Sequence, residues 1–221
     1  MAREYLDANP SMTLFPALAF GFVLGVRHAT DADHIAAVGT VTSGGHSLRR
    51  AALVGAWWGV GHSISVLLVG GALVLLRLPM PARVALALEF AVALMLIALG
   101  VRSLLARRRD VTASALRPLV VGVMHGLAGS AVLALLIIAA TDSELIAVLY
   151  LLCFCVGTTA GMALVTALLT VPGRMSATRA ITFDRALRVA AGVASIAIGV
   201  TMAHRIGVQD GLFAAVPTTG P

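Results

Sequence analysis

A chain of 221 residues that is 59% hydrophobic and only 12% charged, with a mean hydropathy of +0.98, is too apolar for a soluble domain of its size. Its formal charge of +6 would suggest a nucleic-acid partner in a soluble protein. Here the arginines gather between apolar runs, so membrane topology accounts for them, and the expected partner is the lipid bilayer rather than nucleic acid.

The opening MAREYLDANPSM mixes Arg3 with Glu4 and Asp7, and the run after it is too long and too charged for a signal h-region, so no cleavable signal is expected. Six stretches are long enough to cross a bilayer: about 12–40, 51–76, 84–105, 118–140, 145–171 and 186–204. They are rich in Leu, Ala, Gly and Val without short alternating segments, which disfavours a β-barrel. The expected fold is an all-α polytopic membrane protein of about six transmembrane helices, one transmembrane domain over residues 1–221.

The first span contains RHATDADHI, residues 27–35. Charges inside a span cost a few kcal/mol each and usually face a cavity or one another. On a regular helix, at about 100° per residue, Arg27, His28, Asp31 and His34 share an arc of about 120°, whereas Asp33 points nearly the opposite way. Asp33 therefore needs either a partner from another helix or a local unwinding that turns it inward. Whether the segment is one tilted helix or two shorter pieces stays open. Arg27 and Asp31, four apart, can neutralise each other, leaving Asp33 as the spare anion. Imidazoles with a carboxylate suit a borderline first-row divalent ion such as Ni²⁺ or Co²⁺, against the alternative of a buried ion pair with two hydrogen-bonded histidines.

Farther along, His62 and Ser63 in WWGVGHSIS lie well inside the second span, and His62 is a candidate to complete a set of His28, Asp33 and His34. Glu89 in the third span is expected to snorkel or to pair with Arg83. His125, in VMHGLAGSAVL, sits among Gly126, Gly129 and Ser130, so close helix packing is its first reading and metal ligation its second. Cys153 and Cys155 read as small buried hydrophobes. His46 and His204 fall near the ends of spans, at the interface.

Assigning the connections alternately puts Arg49, Arg50, Arg102, Arg107, Arg108, Arg109, Arg117, Arg174, Arg179, Arg185 and Arg188 on one side. Only Arg3, Arg77, Arg83 and Arg205 fall on the other. By the positive-inside rule the first side is cytoplasmic and both termini are outside. The halves also resemble each other: GVRHA at 25–29 matches GVMHG at 122–126, VGHS at 60–63 matches VGTT at 156–159, and IALGV at 97–101 matches IAIGV at 196–200. Near-equal offsets with three spans per half predict a 3+3 inverted repeat, the first about 12–105 and the second about 118–207, with a site near the midplane.

RHATDADHI is similar to the signature of the nickel/cobalt transporter family, a histidine, four residues, then Asp-His, read here as His28, Asp33 and His34. Gly61-His62-Ser63 also fits that family's next motif, and MHGLAGSAVL at 124–133 resembles its compact branch associated with urease accessory transporters. The resemblance implies uptake of Ni²⁺, sometimes Co²⁺, across a bacterial cytoplasmic membrane, with the first-motif residues needed for transport. The larger members have about eight spans, and their second-half signatures are not evident here. Efflux relatives tend to carry a histidine-rich loop, whereas 106–117 contains no histidine.

No phosphate-binding loop is present, so the expected function is secondary transport, not enzymatic catalysis, with the metal as substrate and no cofactor. His28, Asp33, His34 and His62 would hold the ion, supported by Arg27, Asp31, Ser63 and His125. The competing readings are a metal-binding subunit or exporter that needs other components, and a membrane haem protein with His28 and His62 as axial ligands. The oligomeric state is not legible.

Overall fold

The computed structural model describes residues 10–42, 47–76, 80–105, 116–140, 143–171 and 177–213, and among these the regular structure is entirely helical. The elements are α1 (Pro10–His28), α2 (Ala32–Thr42), α3 (Leu48–Ser65), α4 (Gly71–Leu76), α5 (Ala82–Leu105), α6 (Leu116–Ala140), α7 (Glu144–Thr170) and α8 (Ala177–His204). A π-helical turn over Val66–Gly70 joins α3 to α4, making one rod over Leu48–Leu76, and a second, Arg205–Gln209, extends α8. Ser47 and Ser143 start α3 and α7, each accepting a hydrogen bond from the backbone N–H three residues on.

Among the described residues, four helices are long and apolar enough to cross a membrane: Leu48–Leu76, Ala82–Leu105, Glu144–Thr170 and Arg185–Gln209. Leu14–His28 and Leu116–Ala128 are shorter apolar stretches, the latter part of the 25-residue α6. Large apolar side chains such as Phe15, Leu68, Leu145 and Val156 lie exposed on the outside. In water such a surface would be costly, and in a bilayer it meets its natural solvent, so this is a helical membrane protein.

The expected first span, 12–40, is two helices. Ala29 still bonds to Gly25 O in the helical pattern, but Thr30 N and Asp31 N reach back only three residues, to Arg27 O at 2.9 Å and His28 O at 3.1 Å. The Thr30 hydroxyl caps the Arg27 carbonyl at 2.6 Å, and α2 restarts as Ile35 N bonds to Asp31 O at 3.0 Å. The amides of Thr30 and Asp31 and the carbonyls of Arg27 and His28 are thus satisfied locally, which helps to make a broken helix tolerable at membrane depth.

Glycine-lined crossings hold the bundle, and two of them correspond to each other. α3 lies between α6 and α7, α1 packs along α7, α5 pairs with α8, and α2 leans on α8 and α5. A Cβ on Gly25 of α1 would press on the Phe154 carbonyl and lie 2.8 Å from Thr158 N of α7. On Gly122 of α6 it would press on the Trp58 carbonyl and lie 2.9 Å from His62 N of α3. The second contact is the first shifted by 97 residues on one side and 96 on the other. Gly157 against Phe22 and Gly61 against Leu119 form another such couple.

Serine hydroxyls add to these contacts. Ser63 Oγ donates to Cys155 O at 3.2 Å and lies 3.1 Å from Thr159 Oγ1, joining α3 to α7. Ser195 Oγ donates to Leu96 O at 2.7 Å, joining α8 to α5. Glu89, expected to snorkel or pair with Arg83, lies 3.8 Å from Arg205 beyond the end of α8. His204 is exposed, as its place at a span end suggested.

Candidate metal centre

The break in the first span puts the polar residues of RHATDADHI on two helix ends. His28 is the last residue of α1, and Asp33 and His34 lie in the first turn of α2. Because α1 ends at His28, the four-residue register expected to align Arg27 with Asp31 does not exist. Asp31 instead sets Oδ2 2.8 Å from His28 Nδ1, and Arg27 is exposed. Asp33, expected to face away, is turned inward by the same break.

Asp33 also finds a partner on another helix. Its Oδ1 lies 3.1 Å from His34 Nδ1 and accepts from His34 N at 2.9 Å, while its Oδ2 lies 2.9 Å from His125 Nε2 on α6. Of the two solutions open to Asp33 in the sequence, the fold uses both. His125, whose first reading was packing, is therefore part of the polar cluster. Its neighbour Gly126 does supply the expected close packing, against the backbone of His62.

His62 reaches the same place from α3. The His34 ring is central: its centroid lies 4.1 Å from that of His125, 4.5 Å from His28 and 5.5 Å from His62. His28 and His62 are 5.3 Å apart. One nitrogen from each of His28, His34 and His62 lies within 4.8 Å of the others, and Asp33, His34 and His125 form a second such group. His34, His62 and His125 are buried, whereas the side chains of His28 and Asp31 remain 25% and 50% accessible. The cluster is thus closed on the α6 side and open toward the helix break.

Burial exposes an imbalance. His34 Nε2, both ring nitrogens of His62 and His125 Nδ1 are buried without a hydrogen-bond partner. Each buried polar atom left so costs about 1–3 kcal/mol. Helix packing gives no reason to gather such atoms, whereas a cation would take one lone pair from each ring that faces it.

Two aromatic walls, Trp58 and Phe154, were not singled out in the sequence. Trp58 stacks 6.4 Å from His34 and lies 6.1 Å from His125, and Phe154 lies 5.5 Å from His28. The signal that could have found them is the repeat offset itself: 58 and 154 differ by 96, as His28 and His125 differ by 97. Ser63 faces α7 and holds the crossing. Cys155 is buried with Sγ 3.9 Å from Ser63 O, and Cys153 is half-buried. His46, the 106–115 connection and the surroundings of Gly129 and Ser130 lie outside the described residues.

Compared with known proteins, residues 14–116 match NicO, described as high-affinity nickel-transport protein. The urease accessory protein UreH of Bacillus sp. (strain TB-90) is 32% identical over 219 residues, covering 90% of this chain and 96% of that protein. This chain belongs to the NicO nickel-transport family. It is accordingly a membrane transporter and not an enzyme, and the histidine cluster falls largely within the stretch matched to NicO. Only His125 lies beyond it. No solved structure matches the chain significantly.

Proposed function

We propose that the protein takes up Ni²⁺, and by the same ligand chemistry Co²⁺, across the bacterial cytoplasmic membrane through the site formed by His28, His34 and His62 with the charge of Asp33. The observation that carries this reading is the set of buried, unpartnered imidazole nitrogens around His34. Imidazole suits nickel and cobalt alike, so preference between them rests on geometry. Aromatic walls at Trp58 and Phe154 keep the surroundings dry, which strengthens the pull of the carboxylate on a bare cation.

No phosphate-binding loop is present, so the membrane potential is the driving force that the reading requires. Moving a divalent cation inward gains about 4.6 kcal/mol per 100 mV, enough for roughly a thousandfold accumulation. The test is uptake of radioactive nickel by proteoliposomes that hold this chain alone, with an inside-negative potential. Potential-driven uptake that is strongly reduced in His28→Ala is expected. Metal binding without uptake would mean that a partner component is required.

The paired glycine contacts of α1 on α7 and α6 on α3 support two halves of opposite orientation, residues 12–105 and 118–207. Arginine placement supports a cytoplasmic 106–115 connection and termini outside. Rocking of the halves about the α3–α7 crossing, where Ser63 meets Cys155 and Thr159, would then expose the cluster to each side in turn. A single cysteine placed in 106–115 should react with impermeant thiol reagents only from the cytoplasmic face. Labelling from outside would overturn the orientation.

A further inference from the structure

Resting on the nickel reading, a second question is what Asp33 does, since both of its oxygens are occupied. Oδ1 faces His34 Nδ1 at 3.1 Å and Oδ2 faces His125 Nε2 at 2.9 Å. An ionised carboxylate only accepts hydrogen bonds, so each facing nitrogen carries its ring's proton. A neutral imidazole has a single N–H, and its lone pair is then on the other nitrogen, His34 Nε2 and His125 Nδ1. Those are the two nitrogens of these rings that are buried with no partner.

We propose that Asp33 is a positioning residue that fixes the tautomers of His34 and His125, so that His125 serves as a fourth imidazole ligand from the second half. A histidine held by a carboxylate on one nitrogen and free on the other is the usual arrangement behind a metal-binding imidazole. Asp31 gives His28 the same treatment, holding Nδ1 at 2.8 Å and leaving Nε2 as the donor. Among the described rings, His125 is the nearest neighbour of the central His34, at 4.1 Å. His34 is shared by both ligand groups, with His28 and His62 of the first half in one and His125 of the second half in the other, so an ion on His34 Nε2 gains its fourth imidazole when the His125 ring closes toward the first group. Asp33 ties the two halves at this point, since one carboxylate spans α2 and α6.

The roles separate by chemistry. Asn at 33 keeps one acceptor but turns the other oxygen into an N–H donor, which reverses the tautomer of one histidine and removes its lone pair from the site. Gln at 125 retains an N–H near Nε2 for Asp33 but has nothing at Nδ1. Nickel-edge X-ray absorption on the purified full chain with one equivalent of Ni²⁺ counts imidazoles through their outer-shell scattering. Wild type is expected to show four, H125Q three, and D33N three with nickel affinity lowered about 10–100-fold.

Three imidazoles in wild type, a count that needs no variant, would overturn His125 as a ligand, as would an unchanged count in H125Q. A D33N protein that keeps its imidazoles and loses only one light first-shell scatterer would make Asp33 a direct ligand and overturn its positioning role. Absence of any imidazole shell in wild type is a different result, because it would sink the nickel site itself.

Discussion

His34→Ala is expected to reduce nickel uptake by at least about a hundredfold, the largest loss of any substitution of a histidine in the cluster. Loss of a group that merely orients a metal ligand typically costs 10–100-fold, and His34 is both held by such a group and central to the cluster. Its ring lies between those of His28, His62 and His125, and both ligand groupings that could hold an ion include it. His28→Ala removes one partner from one grouping, whereas His34→Ala dismantles both. The substitution also leaves the Asp33 carboxylate with only His125 as a side-chain partner. Measured as initial rates of nickel uptake in proteoliposomes at matched protein content, His34→Ala should lie at background. Uptake within tenfold of wild type would show that the ion does not use this cluster.

How much of this arrangement the sequence discloses depends on the residue. Membrane spans are legible because a bilayer demands about 20 apolar residues in a row, and chain segments as oily as these have little choice. The His28, Asp33 and His34 spacing is legible because intramembrane charges are expensive enough to need a reason. The helix break at Ala29–Asp31 is less so. No Gly or Pro marks it, and it depends on Thr30 and Asp31 closing a short turn that the tertiary partners of His28 and Asp33 reward. The Arg27–Asp31 pairing failed for the same reason, since it assumed an unbroken helix. His125 was visible as the mate of His28, but its contact with Asp33 is a meeting of residues 92 apart, which no local pattern reports. Trp58 and Phe154 carry no polar pattern to mark them, and it is the fold that sets both beside histidines.

Gly25→Leu and Gly122→Leu should each destabilise the protein by several kcal/mol and abolish uptake, although neither residue carries a polar group. A Cβ at Gly25 would press on the Phe154 carbonyl and Thr158 N, and one at Gly122 on the Trp58 carbonyl and His62 N. These neighbours are helix backbone, so no side-chain rotation can relieve the clash, and the helices must separate. Overpacking relieved by small shifts costs about 1–3 kcal/mol, and backbone-on-backbone contact lies at or above that range. Small residues permit such approach in membranes, where van der Waals packing takes over much of the role of the hydrophobic effect. Gly122 carries a further consequence, because moving α6 off α3 separates His125 from His62 and draws it from Asp33. Gly25 sits one turn before His28 on α1, so its displacement moves that ring relative to His34 instead. Thermal unfolding in detergent, followed by circular dichroism, should show comparable losses for the two variants if the crossings are equivalent. A Gly122→Leu protein with native stability and uptake would mean that α6 does not need its close seat on α3, and the link between helix crossing and metal site would fail with it.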